Sequence, residues 1–143
     1  MIGTPALLDS DTTSALSRGQ AAVTRRARAY LDVHGRFTLS VVTVFERLRG
    51  YRAAIRRGNA FEDHLKQFKA FSASSIVLPV DDRVADIAAT IWAGLTGHRR
   101  GNTGDILIAA TASANNLALV TRNRRDFEPM AAISDIALID WSR

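Results

Sequence analysis

Short apolar runs alternate along this chain with longer segments whose apolar residues recur every three or four positions. The short runs predict strands, because they are rich in branched side chains and bounded by turn-forming residues; they cover residues 5–9, 37–42, 76–80, 117–121 and 136–139. The longer segments predict amphipathic helices; one follows residue 9, and the others cover residues 20–31, 43–57, 60–72, 82–93 and 105–116. This alternation favours an α/β fold in which a mostly parallel central sheet lies between two helical layers.

Two segments lack either pattern. Residues 94–104 are glycine-rich and basic, which predicts a loop, and residues 123–127 predict a turn or a short helix. Phe61, Phe68 and Phe71 follow helical spacing, so we expect their rings in the core rather than at a cofactor.

The size of the chain favours one compact unit. Its 143 residues contain no internal repeat, so we expect a single domain over residues 1–143. No apolar run approaches the ~18 residues of a membrane helix, and the first residues lack the pattern of a secretory signal. The absence of cysteine excludes disulfides and thiolate ligands. Together these features predict a soluble, cytoplasmic protein without a membrane partner.

The basic residues are almost all arginines. The net charge is +5, and 17 arginines stand beside only two lysines, Lys66 and Lys69. The planar guanidinium binds phosphate through two hydrogen bonds, so this composition suits a polyanionic partner. A bias in the base composition of the genome explains the arginines equally well. Charge alone therefore decides nothing.

Five side chains with carboxylate or amide oxygens are expected at the carboxyl ends of the strands. They are Asp9 after the first strand, Glu46 on the helix after the second, Asp105 at a helix start, and Asn123 and Asp126 after the fourth strand. Open parallel sheets bind ligands at that edge. Crowded carboxylates repel one another unless a cation lies between them, and oxygen ligands suit Mg²⁺ or Mn²⁺. The pattern indicates a metal-dependent site for a polyanion.

Each of these residues, taken alone, is explained more simply as a helix cap. Asp105 follows Gly104 and precedes an apolar run, which is how an N-cap looks. The histidines, His34, His64 and His98, show no pairing pattern that would suggest a metal-free ribonuclease.

Four stretches together resemble the PIN-domain endoribonucleases of the VapC toxin type, which belong to bacterial type II toxin–antitoxin modules. The stretches are LLDSDTTSAL (7–16), LSVVTVFERLRGY (39–51), GDILIAATA (104–112) and LVTRNRRDF (119–127). All four occur in the order of the family's motifs, and they span essentially the whole chain. The resemblance implies a three-layer α/β/α PIN-like fold.

The resemblance also implies roles for the acidic residues. Asp9 and Asp105 match the metal-binding aspartates, and Glu46 matches the acid that completes the site directly or through water. At the fourth position Asn123 is expected nearest the Mg²⁺ or Mn²⁺ ion, with Asp126 as the second choice. Such a site would hydrolyse RNA phosphodiester bonds with a metal-activated water.

The resemblance further implies partners and substrate contacts. The partners are an RNA, such as tRNA or another structured RNA, a cognate antitoxin protein, and a second copy of the chain in a homodimer. Candidate substrate-binding residues near the motifs are Thr13, Thr121, Arg99, Arg100 and Arg122.

Two alternatives stay open. LLDSDTT (7–13) also fits the D-x-D-x-T start of haloacid-dehalogenase-like phosphatases, in which Asp9 would attack phosphorus and Asp11 would transfer a proton. The two lysines and the acidic pair at 81–82 are poorly placed for that fold. The second alternative is a catalytically inactive PIN-like binding or regulatory module, because Asn123 stands where a fourth acid is expected.

Overall fold

The central sheet brings the ends of its strands together at one edge. A computed structural model describes residues 3–143, apart from the side chains of residues 99 and 101. Within these limits the strands are β1 (Ala6–Leu8), β2 (Thr38–Ser40), β3 (Ile76–Leu78), β4 (Ala118–Val120) and β5 (Leu138–Ile139). Their order is β3-β2-β1-β4-β5, and every neighbouring pair is parallel. The strand order reverses between β1 and β4, which is where an open parallel sheet forms its ligand crevice.

Helices cover both faces of the sheet. They are α1 (Ser10–Ser17), α2 (Ala21–His34), α3 (Val41–Arg56), α4 (Glu62–Ala73), α5 (Asp82–Gly94), α6 (Thr103–Ala114) and α7 (Arg124–Ser134), with a 3₁₀-helix at Gly97–Gly101. One core cluster joins the sheet to α5, α6 and α7, and the other joins it to α1 and α2. The predicted three-layer α/β/α fold with a parallel sheet is confirmed.

Successive side chains of the central strands pack into the two core clusters in turn. Leu7 packs with the α5–α7 cluster, whereas its neighbour Leu8 packs with the α1–α2 cluster. All three residues of β1 and of β4 are buried. Because both faces are covered, these strands read as continuous apolar runs rather than as alternating patterns.

Tyr30 ties α2 to the start of β1. Its buried hydroxyl accepts a hydrogen bond from the Ala6 N–H (3.1 Å) and donates one to the Ala6 carbonyl (3.3 Å). The ring lies 5.5 Å from that of Trp141, centroid to centroid, and 6.1 Å from that of Phe37. This aromatic cluster closes the α1–α2 side of the core.

Two segments differ from the sequence prediction. Residues 94–104, predicted as a loop, contain the 3₁₀-helix Gly97–Gly101. Residues 123–127, predicted as a turn or short helix, begin the eleven-residue α7, whose Phe127 and Met130 are buried. Pro129 and the arginine-rich start concealed the helical spacing, since proline within a pattern usually signals a helix end. No helix in residues 3–143 is long and apolar enough to cross a membrane.

Candidate active site

Asp9 lies where β1 ends and α1 begins. Its side chain caps α1 by accepting a hydrogen bond from the Thr12 N–H at 2.7 Å, and the residue is only 3% exposed. Burial raises the pKa of Asp9, while hydrogen bonds from the Thr121 hydroxyl and from Thr12 oppose the rise. Asp9 therefore caps α1, as the simpler explanation predicted, but its carboxylate also interacts with those of Asp11 and Asp105.

Thr121 connects the end of β4 to Asp9. Its hydroxyl donates to the Asp9 carboxylate and accepts a hydrogen bond from the Asn123 N–H at 2.9 Å. The Asp9 N–H in turn donates to the Val120 carbonyl at 3.1 Å. The two strands at the point of reversed order thus share a hydrogen-bond network, and Asp9 lies within it.

Asp105 lies in the first turn of α6 and has the most perturbed environment of the acids. Asn102 caps this helix: its side-chain oxygen accepts from the Asp105 N–H at 3.2 Å, and its side-chain nitrogen donates to Asp105 Oδ2 at 2.5 Å. The pKa of Asp105 rises to about 7, first through burial and then through repulsion by Glu46, Asp9 and Asp126. The predicted acids therefore converge on Asp105 from three other parts of the fold.

Glu46 reaches the cluster from the second turn of α3. Its Oε1 accepts a hydrogen bond from Ser10 Oγ at 2.5 Å, and its Oε2 lies 4.0 Å from Arg49 Nη2. Ser10 is the residue directly after Asp9, so Glu46 is tied to the start of α1. This contact explains how an acid from another helix comes to act on Asp105.

Asn123 and Asp126 occupy the fourth position together. Asn123 precedes α7 and donates through Nδ2 to Asp126 Oδ2 at 2.8 Å. Of the two side chains, Asp126 carries the charge that acts on Asp105. Both line a cavity of about 570 Å³ with Asp105, and His98 and Arg125 complete its polar wall.

The carboxylate and amide oxygens of these residues suit a hard divalent cation, although they do not surround a single point in this structure. Within the part of the chain that the structure describes, no three His, Asp or Glu side chains form a group ready to hold a metal ion. Hydrogen bonds from Ser10, Asn102 and Asn123 hold three of the acids individually. The oxygen-only donors and their mutual repulsion match the ligand preference of Mg²⁺ and Mn²⁺.

The predicted substrate-binding residues fall in different places. Thr121 lies in the site, whereas the Thr13 hydroxyl donates to the Ser10 carbonyl at 2.8 Å and faces α3. Arg122 lies 3.4 Å from Asp11, measured from Nε to Oδ2. The guanidinium of Arg100 is held by carbonyls at the end of α5, and the side chain of Arg99 lies outside the described residues.

Arg100 joins the 3₁₀-helix to the end of α5. Its guanidinium lies 4.2 Å from the centroid of the Trp92 ring. It donates to the Trp92 carbonyl at 3.1 Å and to the Ala93 carbonyl at 3.4 Å. The Trp92 carbonyl also accepts a hydrogen bond from the Leu95 N–H at 3.2 Å, so Arg100 adds a second donor at this helix end and anchors the segment that leads to Asn102.

Sequence reasoning missed Ser10 and Asn102 as part of the site. Each donates a hydrogen bond of 2.5 Å to one of the acids. An available signal for Asn102 was its position three residues before Asp105, which is the spacing of an N-cap residue and N3. For Ser10 no local signal exists, because its partner Glu46 lies 36 positions away.

A groove lies between α1, α3 and α4. It encloses about 240 Å³ and is lined by apolar and aromatic side chains that include Leu16, Tyr51, Phe68 and Phe71. The Arg47 guanidinium lies 5.2 Å from the ring centroid of both Tyr51 and Phe68, and it donates to the Tyr51 hydroxyl. Of the three phenylalanines expected in the core, Phe68 is buried, whereas Phe61 and Phe71 are half-buried, and the rings of Phe68 and Phe71 line this groove.

Comparison with known proteins identifies relatives over most of the chain. The family model described as PIN domain matches residues 6–133. No curated protein matches the sequence at a significant level. Similar solved structures include DNA-bound VapBC from Salmonella typhimurium, with a TM-score of 0.78 and 24% identity, covering 96% of this chain and 98% of that one. VapBC-1 from nontypeable Haemophilus influenzae has a TM-score of 0.78 and 19% identity, with the same coverage of 96% and 98%. FitAcB from Neisseria gonorrhoeae has a TM-score of 0.64 and 26% identity, covering 95% and 97% of the two chains.

Proposed function

The chain belongs to the PIN-domain family, and from that premise we propose that it is a metal-dependent endoribonuclease, the toxin of a type II toxin–antitoxin module. The observation that carries the proposal is the environment of Asp105. Burial first, and then repulsion by three acids from separate elements, raises its pKa to about 7, so the fold concentrates negative charge at the crevice between β1 and β4. A fold retains such repulsion where a cation or a reaction uses it.

The residues of the site have distinct proposed roles. Asp9 and Asp105 would bind Mg²⁺ or Mn²⁺, with Glu46 completing the set directly or through water. When bound, the cation would neutralise charge on the scissile phosphate and lower the pKa of a water molecule. Asp126 is the better fourth acid, because the Asn123 side-chain nitrogen already donates to it at 2.8 Å. Asn123 would then orient Asp126 rather than bind the cation.

The substrate we propose is RNA, bound across the open cavity beside Asp105. Arg125 and His98 line this cavity and carry donors that suit phosphate oxygens. The net charge of +5 favours a polyanion in the same way. The phosphatase alternative finds less support, because Asp11 forms its ion pair with Arg122 and the Asp9 oxygens are engaged by Thr12 and Thr121.

Cleavage of total cellular RNA by the purified protein tests the proposal directly. With Mn²⁺ or Mg²⁺ we expect discrete fragments that carry 5′-phosphates, and we expect none in EDTA. Asp105→Asn should abolish cleavage, whereas Asp63→Asn, an exposed aspartate in the first turn of α4, should leave it unchanged. Equal behaviour of the wild type and Asp105→Asn would reject catalysis and favour the inactive binding module.

The antitoxin is proposed to dock in the groove between α1, α3 and α4. A similar solved structure from Klebsiella pneumoniae is described as a toxin–antitoxin complex. In this chain the groove offers apolar walls around the cation of Arg47. A partner segment with apolar anchors and an acidic residue fits these features. Arg47→Glu should weaken binding of the co-expressed antitoxin at least about tenfold, whereas Arg52→Glu, exposed on the same helix, should not. Equal affinity of both variants would place the partner elsewhere.

The homodimer is proposed to form through the start of α3. Val41 and Phe45 are 42% and 58% exposed, and they line a cavity of about 550 Å³ together with Leu107. Large apolar side chains that share one surface are more common at interfaces than on monomer surfaces. A second copy would cover these side chains beside the site.

A further inference from the structure

We propose that Gly104 and Ser10 are positioning residues that fix the carboxylate of Glu46 from its two sides. The proposal rests on the proposed function, because it concerns how one acid of that site is held. Glu46 comes from α3, whereas Asp9 and Asp105 stand at the starts of α1 and α6. Its side chain is long and has three rotatable bonds before the carboxylate, so its orientation must be imposed by neighbours.

Gly104 leaves the space that one oxygen of Glu46 occupies. A Cβ atom added at Gly104 would lie 2.6 Å from Glu46 Oε2 and 3.5 Å from Glu46 Cδ. The first distance is far below van der Waals contact, so any side chain at position 104 would displace the carboxylate. Gly104 lies in the first turn of α6, where its backbone has no left-handed conformation that would require glycine. The glycine is therefore explained by space for Glu46.

Ser10 holds the other oxygen of the same carboxylate. Its Oγ donates to Glu46 Oε1 at 2.5 Å and lies 3.5 Å from Thr43 Oγ1, one turn before Glu46 on α3. Ser10 follows Asp9 directly, and Gly104 precedes Asp105 directly. The sequence neighbours of the two aspartates therefore set the position of the third acid.

This arrangement predicts a specific consequence for Gly104→Ala. The added methyl group would displace the Glu46 carboxylate from its position beside Gly104 without harming α6, because alanine is the better helix former. Residues that orient metal ligands typically contribute about 10–100-fold in metal affinity or activity. We expect at least about tenfold lower kcat with little change in KM for RNA, and Mn²⁺ binding weakened several-fold.

The experiment compares Gly104→Ala with Gly50→Ala. Gly50 lies on α3, and a Cβ atom there would meet nothing within 4 Å, so this control adds the same methyl group harmlessly. Mn²⁺ affinity from electron paramagnetic resonance, kcat and KM are measured for both variants. In a Glu46→Gln background Gly104→Ala should have almost no further effect, since both changes act through one carboxylate. Ser10→Ala should reproduce the loss, and Ser10→Thr, which keeps the hydroxyl, should restore most of it.

The outcomes separate this proposal from the proposed function. If the wild type cleaves RNA and Gly104→Ala matches Gly50→Ala in Mn²⁺ affinity and kcat, the positioning role is overturned. If the wild type neither binds Mn²⁺ nor cleaves, the proposed function fails, and a crystal structure of metal-free Gly104→Ala still decides the positioning. A displaced Glu46 carboxylate that has lost its bond to Ser10 supports the role, and an unmoved carboxylate overturns it.

Discussion

Asparagine at position 105 should stabilise the metal-free protein while abolishing its activity. In the folded chain the Asp105 carboxylate is partly buried and repelled by Glu46, Asp9 and Asp126, which together raise its pKa to about 7. Asparagine has nearly the same shape but carries no charge, so it removes both the cost of burying a charge and the repulsion by the other acids. Asn102 can keep its bond to the side-chain oxygen at position 105.

The size of the effect follows from the change in pKa. A rise from 3.8 to about 7 corresponds to about 4 kcal/mol at about 1.4 kcal/mol per pH unit. Solvent reduces both the cost of burial and the repulsion because Asp105 is partly exposed, so we take about half, ~2 kcal/mol. An acid in the first turn of a helix gains about 0.5 kcal/mol from the helix dipole, which asparagine loses. The net gain in the free energy of unfolding is then about 1.5 kcal/mol.

The gain should depend on pH in a defined direction. Because the pKa of Asp105 is higher in the folded state, folded protein binds more protons than unfolded protein between about pH 4 and 7. The contribution of Asp105 to stability therefore falls as the pH rises through this window and levels off above it. Asp105→Asn should match the wild type near pH 4 and exceed it near pH 8.

Thermal unfolding in EDTA measures this difference. A gain of about 1.5 kcal/mol corresponds to a rise in Tm of roughly 3–6 °C for a chain of this size. Asp63→Asn is the matched control, since it also removes an aspartate from the first turn of a helix but is exposed. With saturating Mn²⁺ the order should reverse, because binding stabilises only the wild type. The reasoning is refuted if Asp105→Asn melts at or below the wild type near pH 8 in EDTA.

Three further changes test other parts of the molecule. Tyr30→Phe removes the hydroxyl that bonds both backbone groups of Ala6, and guanidinium denaturation should show a loss of about 1 kcal/mol; an unchanged midpoint contradicts this role. Phe45→Glu should convert the dimer to a monomer in light scattering with attached chromatography, and a monomeric wild type would reject the dimer. Arg125→Ala should raise KM for RNA several-fold and flatten its salt dependence while leaving kcat nearly unchanged; an unchanged KM removes Arg125 from the RNA surface.

The sequence predicted the layered fold because its strands are buried on both faces. A continuous apolar run such as the one that contains β4 can bury the side chains of both its faces only between two helical layers. α7 was underestimated because its helical signal is carried by Phe127 and Met130 on either side of Pro129. The structure shows that both side chains pack against α5 and α6, and this contact could not be inferred from the local sequence.

The grouping of the four acids could be predicted because Asp9 follows a strand and the other three lie in the first two turns of helices, and the parallel sheet brings such positions together. Of the residues that hold them, Ser10 was not predictable, since its contact with Glu46 joins distant segments. Ser10 resembles an ordinary helix-start serine, and only the structure places its hydroxyl 2.5 Å from Glu46. The preference between Asn123 and Asp126 likewise needed the 2.8 Å contact between their side chains.

The division of the acids among four elements has its own physical consequence. Three of the four carboxylates are stabilised by residues close in sequence, Asp9 by the Thr12 N–H, Asp105 by Asn102 and Asp126 by Asn123, and Glu46 is held by the distant Ser10. These hydrogen bonds allow the chain to fold although the carboxylates repel one another. Because the pKa of Asp105 is about 7, this carboxyl group is partly protonated near neutral pH. A divalent cation would replace that proton, so the affinity for the metal should rise with pH up to about 7. The same repulsion that weakens the metal-free fold would therefore favour binding of the ion proposed for this site.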